Sequence, residues 1–103
     1  MHPLVHQHLA EIAALCRRYH VLRLDVFGSA ARGGDFEPTR SDVDFLVELD
    51  RTKAAPTLTT FFELQSSLAA IVGRSVDLVM AGAIRNPYIQ KDIERSRDTV
   101  YAA

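Results

Sequence analysis

Asp42 and Asp44, two residues apart in the run Ser41-Asp42-Val43-Asp44-Phe45-Leu46-Val47, are the side chains whose type and spacing point most directly to chemistry. On an extended strand, residues i and i+2 face the same way. Both carboxylates therefore project from one side, while Val43, Phe45 and Val47 project from the other. Like charges at that spacing repel unless a cation lies between them. Oxygen donors with no nearby His or Cys suit Mg²⁺ or Mn²⁺, hard ions that also take oxygens from phosphates. A lone pair of this kind is a weak motif, because the solvated side of any half-exposed strand can carry it. A second feature precedes it: an apolar run ends at Gly28-Ser29 and continues as Ala30-Ala31-Arg32-Gly33. A strand that passes through Gly-Ser into the mouth of a helix turns backbone N–H groups and a hydroxyl toward an anion, and Gly28 allows close approach. Taken alone, the turn reads more readily as a plain strand-to-helix turn with Ser29 as the cap, and Arg32 about equally as a solvated arginine at a helix end. The phosphate-type turn and the paired carboxylates together are much harder to assign to chance, and they point to a bound triphosphate.

These residues need elements to hold them. Val5, Leu9, Ile12, Cys16 and Tyr19 recur at steps of three and four, which predicts a helix from about Leu4 to Tyr19 with Pro3 in its first turn. Val21 to Phe27 alternates as a strand, with Leu22, Leu24 and Val26 on one face and Arg23, Asp25 and Phe27 on the other. One helical turn is expected over Ser29 to Arg32, stopped by Gly33-Gly34, then a loop from Asp35 to Arg40 containing Pro38. Ser41 to Leu49 reads as a second strand. Thr57 to Val72 reads as a long helix that buries Phe61, Leu64, Leu68, Ile71 and Val72 and closes at Gly73. Ser75 to Met80 follows as a third strand, broken by Gly82; then comes a helix from about Pro87 carrying Ile89 and Ile93, and Thr99 to Ala102 as an added edge strand. The order αβαβαβα(β) predicts one α/β layer domain over residues 1–103: a small mixed sheet of three to four strands packed with helices.

At 103 residues the chain has material for one core but not for a catalytic domain plus a separate recognition domain, so part of any substrate site is expected from elsewhere. A 48% hydrophobic and 24% charged composition is that of a folded globular protein. Twelve basic and thirteen acidic side chains leave a formal charge of -1, too little positive field to hold duplex nucleic acid by counterion release. The single cysteine, Cys16, excludes an intrachain disulfide and a thiolate zinc cluster, and fits a reducing cytoplasm. No basic segment leads into an apolar run at the N-terminus, and no stretch of about 18 apolar residues occurs, so a secreted or membrane-spanning protein is not expected.

The combination of Gly28-Ser29-Ala30-Ala31-Arg32-Gly33 with Ser41-Asp42-Val43-Asp44-Phe45-Leu46-Val47 resembles the GSxxRG and SDxDhhV signature of polymerase-beta-like nucleotidyltransferases, where h is hydrophobic. It is most similar to the minimal nucleotidyltransferases of prokaryotic genomes. The signature spans residues 28 to 47, and the order of elements extends the likeness over nearly the whole chain. The resemblance implies a third carboxylate on a later strand, which Val76-Asp77-Leu78-Val79 supplies as Asp77. It further implies Asp42, Asp44 and Asp77 as catalytic and metal-binding residues for Mg²⁺, with Mn²⁺ as an alternative ion, and Gly28, Ser29 and Arg32 as nucleotide-binding residues. Many minimal members carry a basic residue directly after the serine. Ala30 stands there in this chain, which implies weaker triphosphate affinity.

The activity implied is transfer of a nucleoside monophosphate from ATP or another nucleotide triphosphate to an acceptor hydroxyl. For minimal members the implied acceptor is a tyrosine of a small helical HEPN-type toxin, with the chain as its antitoxin in a hetero-oligomer. Two other readings stand beside it: a non-catalytic antitoxin that neutralises by contact, and a small-molecule transferase similar to the aminoglycoside nucleotidyltransferases. All three aspartates favour activity over pure binding, and the lack of a second domain counts against the drug-modifying reading. Among the remaining residues, His2 and His6 lie four apart on the first helix without a further metal ligand in view. Lys91, Arg95 and Arg97 read as solvated helix charges that could meet a partner or a phosphate, and Asp25 and Glu48 as surface carboxylates. Ser29 has no sequence-visible His base, so a serine-nucleophile hydrolase is not supported.

Overall fold

The structure is a computed structural model that describes residues 1–32, 42–53, 57–83 and 86–103. The chain runs α1 (Pro3–His6), α2 (Leu9–Arg18), β1 (Val21–Phe27), α3 (Ser29–Arg32), β2 (Val43–Leu49), α4 (Leu58–Val72), β3 (Val76–Met80), α5 (Pro87–Ser96) and β4 (Asp98–Ala102). The strands form one mixed sheet in the order β3-β2-β1-β4. β1 is antiparallel to both β2 and β4, and β2 is parallel to β3 across the α4 crossover. The expected fold class holds, including the added strand at the end. The expected stop at Gly33-Gly34, the loop over 35–40 and Ser41 lie outside the described residues.

The first helix is in two pieces. His2 caps α1 through its Nδ1, which accepts the Leu4 N–H at 3.1 Å, and Gln7 and His8 separate α1 from α2. Val5, Ile12 and Cys16 are nevertheless fully buried in a continuous apolar stripe, so the periodicity located the core face but not the break. Burial pushes the Cys16 thiol up to about 12, as expected of a thiol that behaves as a small hydrophobe. α4 begins at Thr57, whose hydroxyl accepts the Thr60 N–H at 3.0 Å. It ends where Gly73 takes a left-handed φ of 69°, the conformation a Schellman-type stop needs.

The main core lies between the sheet and the layer formed by α2 and α4. Leu24, Val26, Val43, Phe45, Val47 and Leu78 from the strands meet Ile12, Cys16, Leu64, Leu68 and Val72 from the helices. A smaller cluster covers the second face, where Ile93 of α5 packs on Phe27 and Leu46, with Val79 beside them. β1 is therefore covered on both sides. The alternation expected for it is also interrupted: the register with β2 shifts between Val21 and Arg23, so Val21 is buried and Leu22 is exposed.

Among the described residues, Asp25 is the one buried charged side chain, at 0% exposure. The expectation of a surface carboxylate is corrected here. Arg23 Nε donates to its Oδ1 at 3.0 Å, and Arg97 Nε donates to its Oδ2 at 2.8 Å, with a second Arg97 N–H on the same oxygen. Arg23 also donates to Thr99 Oγ1 at 3.1 Å. Arg97 is accordingly an internal counter-ion rather than a free helix charge, and two fork-shaped donors supply what a desolvated carboxylate requires. The group joins β1, β4 and the end of α5. Among the described residues, no helix is long and apolar enough to cross a membrane.

Candidate active site at the carboxylate end of the sheet

β1 leaves the sheet at Phe27, directly beside the start of β2. The register pairs Phe27 with Asp44, and Asp44 with Asp77 on β3. Residues paired across neighbouring strands point to the same face, so Asp44 and Asp77 stand side by side on the face that also carries Phe27 and α5. Asp42 precedes β2 by one residue and is exposed; Asp44 is half-buried and Asp77 is exposed. The structure thus brings Asp44 and Asp77 to one level of the sheet and leaves Asp42 at its margin. Among the described residues, no three His, Cys, Asp or Glu side chains are gathered closely enough to enclose a metal ion. The two histidines considered earlier are part of no such group either.

Gly28 turns the chain from β1 into α3 with φ 69°. A Cβ added there would come 2.8 Å from Asp44 Oδ2 and 3.8 Å from Asp92 Oδ2. Only a glycine provides both the left-handed backbone and the room beside the carboxylate. Replacing Gly28 by Ala should therefore cost about 1–2 kcal/mol and push Asp44 aside, whereas Gly73→Ala, where nothing lies within 4 Å, should cost only about 1 kcal/mol. Chemical denaturation of the two variants checks the difference. An equal loss at both positions would show that the close approach to Asp44 does not matter.

Ser29 follows as the half-buried first residue of α3, and Ala31 N–H donates back to the Gly28 carbonyl at 3.2 Å. The N–H groups at the start of a helix have no partner within it; read as an anion cradle, the turn would offer those of Ser29 and of Ala30, itself 1% exposed, with the Ser29 hydroxyl. The Gly28 N–H is committed elsewhere: it donates to Ser96 Oγ at 2.8 Å. The anion cradle expected at Gly28-Ser29 is narrower by that one donor. The Arg32 side chain lies outside what the structure describes.

Ser96 and Asp92 were not foreseen as neighbours of the site. They belong to α5, 68 and 64 positions along the chain from Gly28, and the docking of α5 on the second face of the sheet brings them there. An apolar cleft of about 410 Å³, lined by Leu49, Leu58, Phe61 and Met80, opens at the opposite ends of β2 and β3 and shares no residue with the carboxylates.

The donors present suit a hard divalent cation in kind. Two carboxylates from adjacent strands share one level, a third stands at the margin, and a glycine leaves space beside one of them. Nothing in the set suits a softer metal.

Comparisons with known proteins bear on the family and fold of the chain. Residues 11–100 match the family model described as a nucleotidyltransferase domain. A Methanocaldococcus jannaschii protein that bears a protein adenylyltransferase name is 45% identical over 87 residues, covering 84% of this chain and 82% of that protein. The protein adenylyltransferase MntA of Thermococcus cleftensis is 40% identical over 72 residues, covering 70% and 68%. Among solved structures, a minimal nucleotidyltransferase superposes with a TM-score of 0.71 at 29% identity, covering 91% of this chain and 90% of that one. The structure of a tri-AMPylated Shewanella oneidensis HEPN toxin with its MNT antitoxin superposes at 0.66 over 96% of this chain and 73% of that one; at 17% identity this likeness speaks for the fold alone. The match over most of its length and the identity to these relatives show that the chain belongs to the nucleotidyltransferase domain family.

Proposed function

We propose that this chain is a protein adenylyltransferase that moves AMP from ATP to a tyrosine hydroxyl of a HEPN-type toxin and so serves as its antitoxin. The observation that carries the reading is the shared level of Asp44 and Asp77 beside the Gly28 turn, and it supports reading that turn as an anion cradle next to the carboxylates. The names of the relatives, and the toxin complex among the structural neighbours, support the choice of nucleotide and acceptor.

In this reading the Ser29 hydroxyl and the first N–H groups of α3 hold the outer phosphates, and Gly28 lets them approach the backbone. Asp44 and Asp77, with Asp42, would hold Mg²⁺, which when bound offsets the charge of the triphosphate and of the departing pyrophosphate. The acceptor oxygen attacks the α-phosphorus, the bond to the bridging oxygen breaks, and pyrophosphate leaves. Asp77, exposed at the sheet edge, takes the hydroxyl proton. Positioning and electrostatics supply the rate, as in other phosphoryl-group transfers. In this reading a surface of the partner forms one wall of the acceptor pocket.

The test is to incubate the purified chain with α-labelled ATP, Mg²⁺ and the co-encoded HEPN-type protein. Label on a tyrosine of that protein is the expected result. No label on the partner would remove the protein-acceptor reading, and full neutralisation by a chain that transfers nothing would replace it with neutralisation by contact.

A further inference from the structure

We infer that Ser96 is a positioning residue for the nucleotide site, acting through Gly28; this deepens the proposed function and rests on it. The Ser96 hydroxyl does two things at once. Its oxygen accepts the Gly28 N–H at 2.8 Å, and its own proton goes to the Asp92 carbonyl, four residues back in α5, at 2.6 Å. The second bond fixes the rotamer that the first requires. Gly28 lies between β1 and α3 with its φ at 69° and Asp44 Oδ2 close against its Cα, so the direction of its N–H sets the turn that separates the carboxylate from the phosphate-facing groups of Ser29 and Ala30.

Further bonds hold the last turn of α5 in place. The next residue, Arg97, is tied to the buried Asp25 by two N–H donors, and its own N–H returns to the Ile93 carbonyl at 2.7 Å. Asp25 and Gly28 thus bracket the exit of β1, and Arg97 and Ser96 hold them from one helix end. Without the Ser96 hydroxyl the Gly28 N–H would lose the acceptor it has in the structure, and the turn would have reason to rotate toward another partner, such as the nearby Asp92 carboxylate. The phosphate-facing groups of α3 would rotate with it. Such a residue contributes equally to holding bound nucleotide and the reacting state, which places its effect on affinity rather than on turnover.

The test uses Ser96→Ala and Ser96→Thr in the full chain, with AMP-PNP and Mg²⁺ as the calorimetric probe and labelled transfer at saturating ATP as the rate. Ser96→Ala should weaken AMP-PNP binding about tenfold while the saturated rate stays within about twofold of wild type. Ser96→Thr, which keeps the hydroxyl, should restore wild-type affinity. A purely structural role would lower the folded fraction and the melting temperature with affinity unchanged in the molecules that remain folded; that result overturns the inference, as does an equal loss in both variants. Amide hydrogen exchange of wild type gives a second reading that needs no substitution: the Gly28 N–H should be protected along with α5, and fast exchange at Gly28 would also overturn it. If wild type transfers no label, the proposed function fails by itself, while the affinity and exchange measurements still decide the role of Ser96.

Discussion

Asp44→Asn should reduce AMP transfer on the order of a thousandfold with little change in melting temperature. Asp44 holds the central place in the site, paired in register with Phe27 on one side and Asp77 on the other, and it faces the open Cα of Gly28. Asn keeps its size and one carbonyl oxygen. It loses the charge that a hard cation requires and the second oxygen of the carboxylate. Removing one of two like charges on neighbouring strands also relieves repulsion with Asp77, which offsets the loss of contacts the carboxylate makes elsewhere. Initial rates of labelled transfer, read beside a thermal melt, check both halves of the expectation. Residual transfer within tenfold of wild type would move the essential carboxylate to Asp42 or Asp77. The double substitution of Asp42 and Asp44 by Asn should abolish transfer altogether.

Asp25→Ala is the substitution expected to harm the fold most. The Asp25 carboxylate is wholly buried and accepts from both Arg23 and Arg97. Truncating one partner of a buried ion pair typically costs about 3–5 kcal/mol, because the remaining charge loses its counter-ion. Here the arginine side chains are 45% and 36% exposed and can turn outward to water, which puts the loss near 3 kcal/mol. For a domain of this size that is a fall in melting temperature of roughly 12–20 °C. Asp25→Asn should fall between, since an amide oxygen can still accept one donor. If Asp25→Ala melts with wild type, the arginines are held by something other than this carboxylate.

The contrast between these two aspartates shows what local pattern can reveal. The proposed carboxylates Asp42 and Asp44 stand out in the sequence by a spacing of two, a short distance after a glycine-serine turn; the structure sets Asp44 on β2 and Asp42 just before it. Gly73 was legible because a helix stop is a local event. Asp25 was misread for a physical reason: alternation along Val21–Phe27 was taken to mean one buried and one wet face, and α5 with β4 covers the second face. That covering depends on pairings across more than 70 positions, which no periodicity records. The shift between Val21 and Arg23 likewise arises from pairing with β2 and reverses the place of Leu22. The break at Gln7 and His8 falls where the apolar stripe continues, with no Gly or Pro to mark it. Ser96 and Asp92 carried no signal at all, since a Ser and an Asp in an amphipathic helix are ordinary until the helix is docked.

The position of β4 beside β1 also governs the order in which the molecule can assemble. β1 pairs with β2 across a modest stretch of chain, but its other neighbour is drawn from the far end, with Arg23 opposite Ala102 and Asp25 opposite Thr99. Closing so long a loop has an entropic cost that rises slowly with length but falls due before any contact rewards it, so such pairings form late and slow the whole process. Until then the edge of β1 is open and Asp25 remains hydrated. The arrival of α5 and β4 then does three things in one step: it fills the sheet edge, removes water from Asp25 as Arg97 closes over it, and delivers Ser96 to the Gly28 turn. Closure of the sheet by β4 and formation of the Gly28 turn proposed to hold nucleotide thus depend on the same long-range contacts, and a chain lacking β4 and α5 would have its aspartates on β2 and β3 without the Ser96 bond to that turn.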